Sequence, residues 1–332
     1  MNNPKRAGVT AIHSINRFVF SVPDLGIAKD YFTSFGLDVR EQDGHLDLYT
    51  FGHPHCWGSI YQGQGAKKLE YLSFGLYEAD WLPMLAHLDH CGIERITPHP
   101  LAGDGGVWIR DPDGTPLQLI VAGKSSPNEK SAATGPQFMT TVRGTTVAPG
   151  RTGVKRVQPL RLSHVLLYCT DVLRSVRFYS DVLGTRLSDH SGEGIAFVHG
   201  AHSSDHHLVA FAKSDGPGLH HTSWSVNGVD EVGLGMQQMQ ESGYRHGWGV
   251  GRHVLGSNYF YYVQDPWGSF TEYSYDIDFI GVETDWPAFD HPGADSFYLW
   301  GPAVPADFIT NHESAARAAE AQATDGAATR SS

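Results

Sequence analysis

Three segments of this chain carry residue types that hold a redox-active metal. LSHV contains His164, GLHHTSW contains the pair His220 and His221, and DPWGSFTEYSYD contains Glu272. Each segment reads as a short strand, so residues far apart in sequence can come to neighbouring positions on one sheet. Two imidazoles and one carboxylate have the composition of a facial triad for non-haem Fe(II), which fills three positions of an octahedron and leaves the rest to substrate and dioxygen. These residues therefore point to oxygen chemistry. A lone strand histidine is more often a hydrogen-bonded scaffold residue; the coincidence of the three segments carries the inference.

The elements that must position these residues are visible as an internal repeat. INRFVFSVPDLGIAKDYFTSFGL, residues 15–37, lines up with LSHVLLYCTDVLRSVRFYSDVLG, residues 162–184. Both copies run from an apolar strand through an aspartate and a helical stripe to a glycine. Asp24 and Asp171 stand where a helix is N-capped, and Gly36 and Gly184 where one ends. The spacing of Val172, Val176, Tyr179 and Leu183 predicts one buried helix face, and Leu25, Ala28, Phe32 and Phe35 predict its counterpart. The repeat continues in LEYLSFGL against LHHTSWSV and in DPDGTPLQL against DPWGSFTEY. A second helix is expected in each half, over 80–92 with Leu82, Leu85 and Leu88, and over 230–243 with Val232, Met236 and Met239. The expected fold is α+β, two tandem domains, each of paired βαβββ modules with sheets curled around a cavity. We divide the chain into an N-terminal structural domain, 1–135, a C-terminal metal-binding catalytic domain, 136–312, and a disordered tail, 313–332, which is Ala-rich and polar. Residues 123–137 read as linker or exposed loop, and the aromatic, proline-punctuated stretch 289–308 as an extension packed on the second domain near a cavity mouth.

The copies differ where chemistry is at stake. Arg17, Tyr71 and Gln118 occupy the positions matching His164, His221 and Glu272, and they make no Fe(II) triad. A scaffold has no need for such asymmetry; a metal site does. Strand alternation puts His164 on a face with Leu162 and Leu166, and it allows either His220 or His221 to point inward but not both, without choosing between them.

Composition narrows the rest. At 332 residues the chain can bury two cores. A net charge of −12 argues against a nucleic-acid partner. Cys56, Cys91 and Cys169 are isolated, which fits a reduced, cytoplasmic setting. No apolar run approaches a membrane span, and the first residues carry no apolar core of signal-peptide length.

The residues resemble the extradiol ring-cleaving dioxygenases of the vicinal oxygen chelate superfamily, the two-domain catechol and 2,3-dihydroxybiphenyl type. The most specific element is GRHVLGSNYFYYVQDPWGSFTE, residues 251–272, close to that family's Gly-x-His, tyrosine, Asp-Pro-x-Gly and glutamate signature; Tyr261 is a small departure. The resemblance implies metal ligands His164, His221 and Glu272, and catalytic residues His207, as acid/base, with His253 and Tyr262 bonding the substrate oxygens. His206 and His220 then point the other way. It implies Fe(II), or Mn(II) in some members, as cofactor, a small-molecule catechol and O2 as partners, and a homo-oligomer. The expected product is a hydroxymuconic semialdehyde. Trp224, Trp248, Phe197, Tyr259 and Phe260 are candidates to wall a hydrophobic pocket for a substituted or bicyclic catechol. Two other readings compete: a glyoxalase-like metal isomerase or lyase, and a metal-free protein that binds an aromatic ligand on the same fold.

Overall fold

In the computed structural model, which describes residues 4–103, 105–131 and 150–319, the repeat becomes two curled sheets. The first is built from β1 (Ser14–Val22), α1 (Leu25–Phe35), β2 (Asp38–Gln42), β3 (His45–Tyr49) and β4 (Gly58–Gln62). A second module follows: β5 (Lys68–Leu76), α2 (Glu78–His90), β6 (Val107–Arg110) and β7 (Pro116–Val121). Strand order is β2-β3-β4-β1-β5-β7-β6. Among the described residues this second module has two strands after its helix instead of three; a single bond from Ile96 N to the Trp108 carbonyl, 2.8 Å, stands where a third would pair.

The C-terminal half repeats the plan with β8 (Arg161–Cys169), α3 (Val172–Leu183), β9 (Arg186–Ser191), β10 (Ile195–His199), a short β11 (Ser204–Asp205) and β12 (Val209–Lys213). It continues with β13 (Gly218–Ser225), α4 (Val229–Glu241), β14 (Gly247–Arg252), β15 (Tyr259–Gln264) and β16 (Phe270–Tyr275), then the two-residue β17 (Phe279–Ile280) and β18 (Phe289–Asp290). The large sheet runs β14-β15-β16-β13-β8-β12-β10-β9-β18. In each half two modules meet at a central antiparallel pair, β1 with β5 and β8 with β13.

Helix ends follow the sequence closely. Asp24 and Asp171 accept from the backbone N–H three residues on, each at 2.9 Å, and Gly36 and Gly184 close their helices in the left-handed region, at φ 103° and 75°. A side chain at Gly36 would also collide with the Val157 carbonyl. Val172, Val176, Tyr179 and Leu183 are all buried. In α2 the stripe differs: Leu82 is 72 % exposed, and Met84 and Leu88 are the buried apolar residues.

Helices and inner strand faces of both halves share one apolar core. Phe35 stacks on Tyr273 with ring centroids 3.9 Å apart, Tyr273 Oη donates to the Phe35 carbonyl at 2.7 Å, and Tyr31 Oη donates to the Val263 carbonyl at 3.0 Å. Burying one large apolar side chain stabilises by about 1.5–3 kcal/mol, so these crossings tie the halves together. Buried Lys67 and Asp265 add an ion pair across them.

Two segments expected to be loose are docked. In 123–131, Ser125 Oγ donates to the Ile15 carbonyl and Ser126 Oγ to that of His13; the rest of the expected linker and the boundary at 135/136 lie outside the described residues. The expectation of a disordered tail is corrected for 313–319. Residues 312–319 form a helix, held because the buried Glu313 carboxylate accepts from Leu69 N at 3.0 Å and Leu219 N at 3.2 Å; 320–332 lie outside the described residues. Among those described, no helix is long and apolar enough to cross a membrane.

Candidate metal centre

Strand register brings the three liganding types together. β8, β13 and β16 lie side by side, and Ser223 at the centre faces His164 on one side and Glu272 on the other. His221 is two residues along β13 and so on the face of Ser223. The row extends outward, with Tyr262 opposite Glu272 and Trp248 opposite Tyr262. In the first half the same register sets Arg17 and Gln118 beside Ser73, so the alignment of the copies holds in three dimensions while the ligand types do not recur.

His164 Nε2 lies 3.3 Å and His221 Nε2 3.8 Å from Glu272 Oε2, and one donor atom from each of the three fits within 4.8 Å of the others. Cis ligands of an octahedral ion with bonds of about 2.1 Å stand about 3 Å apart. All three side chains are buried, and among the described residues neither His221 Nε2 nor Glu272 Oε2 has a hydrogen-bond partner. Buried polar atoms are normally paired; a lone pair on nitrogen and an anionic oxygen, both unanswered and facing each other, are the donor set of a divalent cation. The other carboxylate oxygen is held by Asn258 Nδ2 at 3.0 Å. Burial alone would raise the Glu272 carboxyl; the imidazoles of His164 and His253 outweigh it and keep the group below the usual carboxylate range. Burial, aided by neighbouring imidazoles, holds His221 and His207 well below the ordinary histidine value.

The surrounding histidines come in two pairs with one plan. His207 Nδ1 is 3.1 Å from His206 Nδ1, and His206 Nε2 is 2.8 Å from the Asp189 carboxylate. His221 Nδ1 is 2.7 Å from His220 Nδ1, and His220 Nε2 is 2.8 Å from the Phe308 carbonyl. Each outer histidine is anchored at Nε2 and meets the inner one through Nδ1, leaving the inner Nε2 to the site. His253 Nδ1 donates to the Phe297 carbonyl at 2.7 Å, so its Nε2 accepts from Tyr262 Oη at 2.9 Å.

These groups open into a cavity of about 520 Å3 on the concave face of the large sheet. His164, His207, His221, His253, Tyr262 and Glu272 line it together with apolar residues that include Leu166, Ile195, Phe197, Leu255 and Phe297. Of the expected pocket aromatics, Trp248 and Phe197 are at the wall, whereas Trp224 lies in the shared core with its ring edge against Phe18. Tyr259 and Phe260 pack against Trp300 and Trp248.

Strict alternation fails twice on these strands. The pairing of β13 with β8 slips between Leu219 and His221 and again opposite Ser163. His220 is thus the extra residue of a bulge, and both His220 and His221 line the cavity, which corrects the expectation that only one could and that His220 points away. The second slip turns Leu162 into the core while Leu166 stays at the wall. Sequence reasoning also missed Asn258, whose only signal is an amide in an otherwise aromatic run, and Asp189, which has none.

The chain is similar to several known proteins. Residues 161–273 match the model of the Glyoxalase/Bleomycin resistance protein/Dioxygenase superfamily. "Metapyrocatechase 2" of Cupriavidus necator is 46% identical over 303 residues, 91% of this chain and 93% of that one. Among solved structures, a point mutant of homoprotocatechuate 2,3-dioxygenase of Brevibacterium fuscum superposes with a TM-score of 0.72 at 19% identity, covering 93% of this chain and 85% of the other. A Mn(II)-bound glyoxalase from Novosphingobium aromaticivorans superposes with a TM-score of 0.71 at 20% identity, covering 91% and 95%. The chain belongs to the metapyrocatechase family of extradiol catechol dioxygenases, within that superfamily. Membership implies a catalytic metal.

Proposed function

We propose that this chain performs extradiol (meta) cleavage of a hydrophobic catechol by O2 at a single non-haem Fe(II), yielding a hydroxymuconic semialdehyde type of product. The observation that carries the reading is the convergence of His164, His221 and Glu272, two of whose buried donor atoms have no partner among the described residues. His164, His221 and Glu272, two neutral imidazoles and one carboxylate, would hold ferrous iron with about one residual positive charge, which would supply electron transfer between a bound catechol and O2.

The residues do the rest. His207 gives its Nδ1–H to His206, so its Nε2 carries a lone pair able to take a proton from a catechol hydroxyl and return it later. Asp189 orients His206 and offsets positive charge on the pair. Tyr262 spends its proton on His253 and thereby turns oxygen lone pairs to the cavity, ready to accept from the second hydroxyl. The apolar wall excludes water and suits a substituted or bicyclic ring better than a carboxylated one.

A reduced, cytoplasmic setting, supported by three free cysteines, and assembly into a homo-oligomer, supported by exposed Leu299 and Trp300, belong to the same proposal. Because a Mn(II)-bound glyoxalase shares the fold, oxygen consumption is the discriminating test. Anaerobic Fe(II) loading followed by a panel of catechols in aerated buffer is expected to give O2 uptake and yellow product. Colourless mixtures without O2 uptake across the panel would refute the reading.

A further inference from the structure

We infer that His220 is a positioning residue, and that the C-terminal segment 293–309 acts through it on the metal centre. The inference rests on the metal reading above. One proton fits in the 2.7 Å between His220 Nδ1 and His221 Nδ1. A metal on His221 Nε2 forces that proton onto His221, so His220 Nδ1 accepts and the His220 proton moves to Nε2, where the Phe308 carbonyl, 2.8 Å away, receives it. Had His220 carried its proton on Nδ1, two N–H groups would face each other and Phe308 would lose its donor. Metal loading and docking of Phe308 therefore favour the same arrangement of protons, and each strengthens the other.

The same segment meets the site a second time, where the Phe297 carbonyl accepts from His253 Nδ1. Gly293, Ser296, Phe297, Phe308 and Ile309 line the substrate cavity. It is anchored beyond the cavity by Tyr168 Oη on the Thr310 carbonyl, 3.0 Å, and by the Glu313 carboxylate on Leu69 N and Leu219 N. One stretch of backbone thus walls the substrate space and fixes two imidazole tautomers beside the ligands, although no side chain of it enters the triad.

The test compares Mn(II) affinity of the full chain, H220F and H220Q, and reads His220 by nitrogen-15 NMR in the Zn(II)-loaded wild type. Glutamine has an oxygen to accept from His221 and an N–H to give Phe308; phenylalanine has neither. H220F is expected to weaken Mn(II) binding by about ten- to a hundredfold and H220Q to restore it to within a few-fold, with the His220 proton on Nε2. Equal affinity in H220F, failure of H220Q to improve on H220F, or a proton on His220 Nδ1 would each overturn the inference. If H220F does not fold, the tautomer in the wild type decides. A wild-type chain that takes up no Mn(II) at all would fail differently, by removing the metal site itself.

Discussion

His206 and His207, adjacent in sequence, meet through their Nδ1 atoms at 3.1 Å, and Asp189 holds the far nitrogen of His206. One ring must donate and the other accept, and the carboxylate decides which: His206 keeps its proton toward Asp189 and His207 presents a bare Nε2. Replacing His207 with phenylalanine is expected to lower kcat by about 10²–10⁴-fold, the usual size of acid/base catalysis, with metal content unchanged. Steady-state oxygen uptake beside metal analysis checks this; an H207F enzyme of normal kcat would remove His207 from the chemistry.

Metal loading should stabilise the fold. An ion held by this preformed, buried donor set and not by the unfolded chain would, at a free concentration one hundred times Kd, add about 2.7 kcal/mol. Thermal unfolding with added Mn(II) and with chelator is expected to show a higher Tm in the first. Identical curves would argue that His164, His221 and Glu272 do not bind the ion.

The buried Lys67–Asp265 pair joins the residue just before β5 to the turn after β15. Removing the cation strands a carboxylate that keeps, among the described residues, the backbone N–H groups of Trp267 and Ser269. K67M is therefore expected to cost about 3–5 kcal/mol, and K67M/D265N distinctly less than K67M alone. Denaturant titrations of both variants measure the difference, and equal losses would show that the stranded charge is not the cause.

Glu70 gives a pH signature. Burial opposes its ionisation, yet hydrogen bonds from His99, Lys68 and Ser21 bring the carboxyl down to about 2. A carboxylate depressed in the folded state stabilises fully above its unfolded value of about 4.3, and that contribution falls away as pH drops through the folded value. E70Q should thus cost more stability at pH 6 than at pH 3. Denaturant titrations at the two pH values check it; a penalty that does not shrink on acidification would contradict the assignment.

Much of this site was legible because repeat and register are written in side-chain types. The matched copies singled out the segments of His164, the His220–His221 pair and Glu272, the family resemblance chose His221 from the pair, and the Asp and Gly caps of α1 and α3 were where the sequence put them. What escaped has a common cause. A bulge at His220 reverses the alternation on which facing was argued, and no residue type announces it. The C-terminal segment acts through the carbonyls of Phe297 and Phe308, groups every residue possesses, so its sequence shows only an aromatic stretch. The helix at 312–319 was hidden by an Ala-rich composition, although the buried carboxylate of Glu313 and the amide of Asn311 fasten it.

Three side chains would share one ion, and anaerobic titration of Fe(II) into the wild type and into E272Q tests that directly. The wild type is expected to take up a single equivalent tightly, and E272Q, with an amide where the anionic oxygen faced His164 and His221, to bind far more weakly. Equal binding by the two, or none by the wild type, would contradict it.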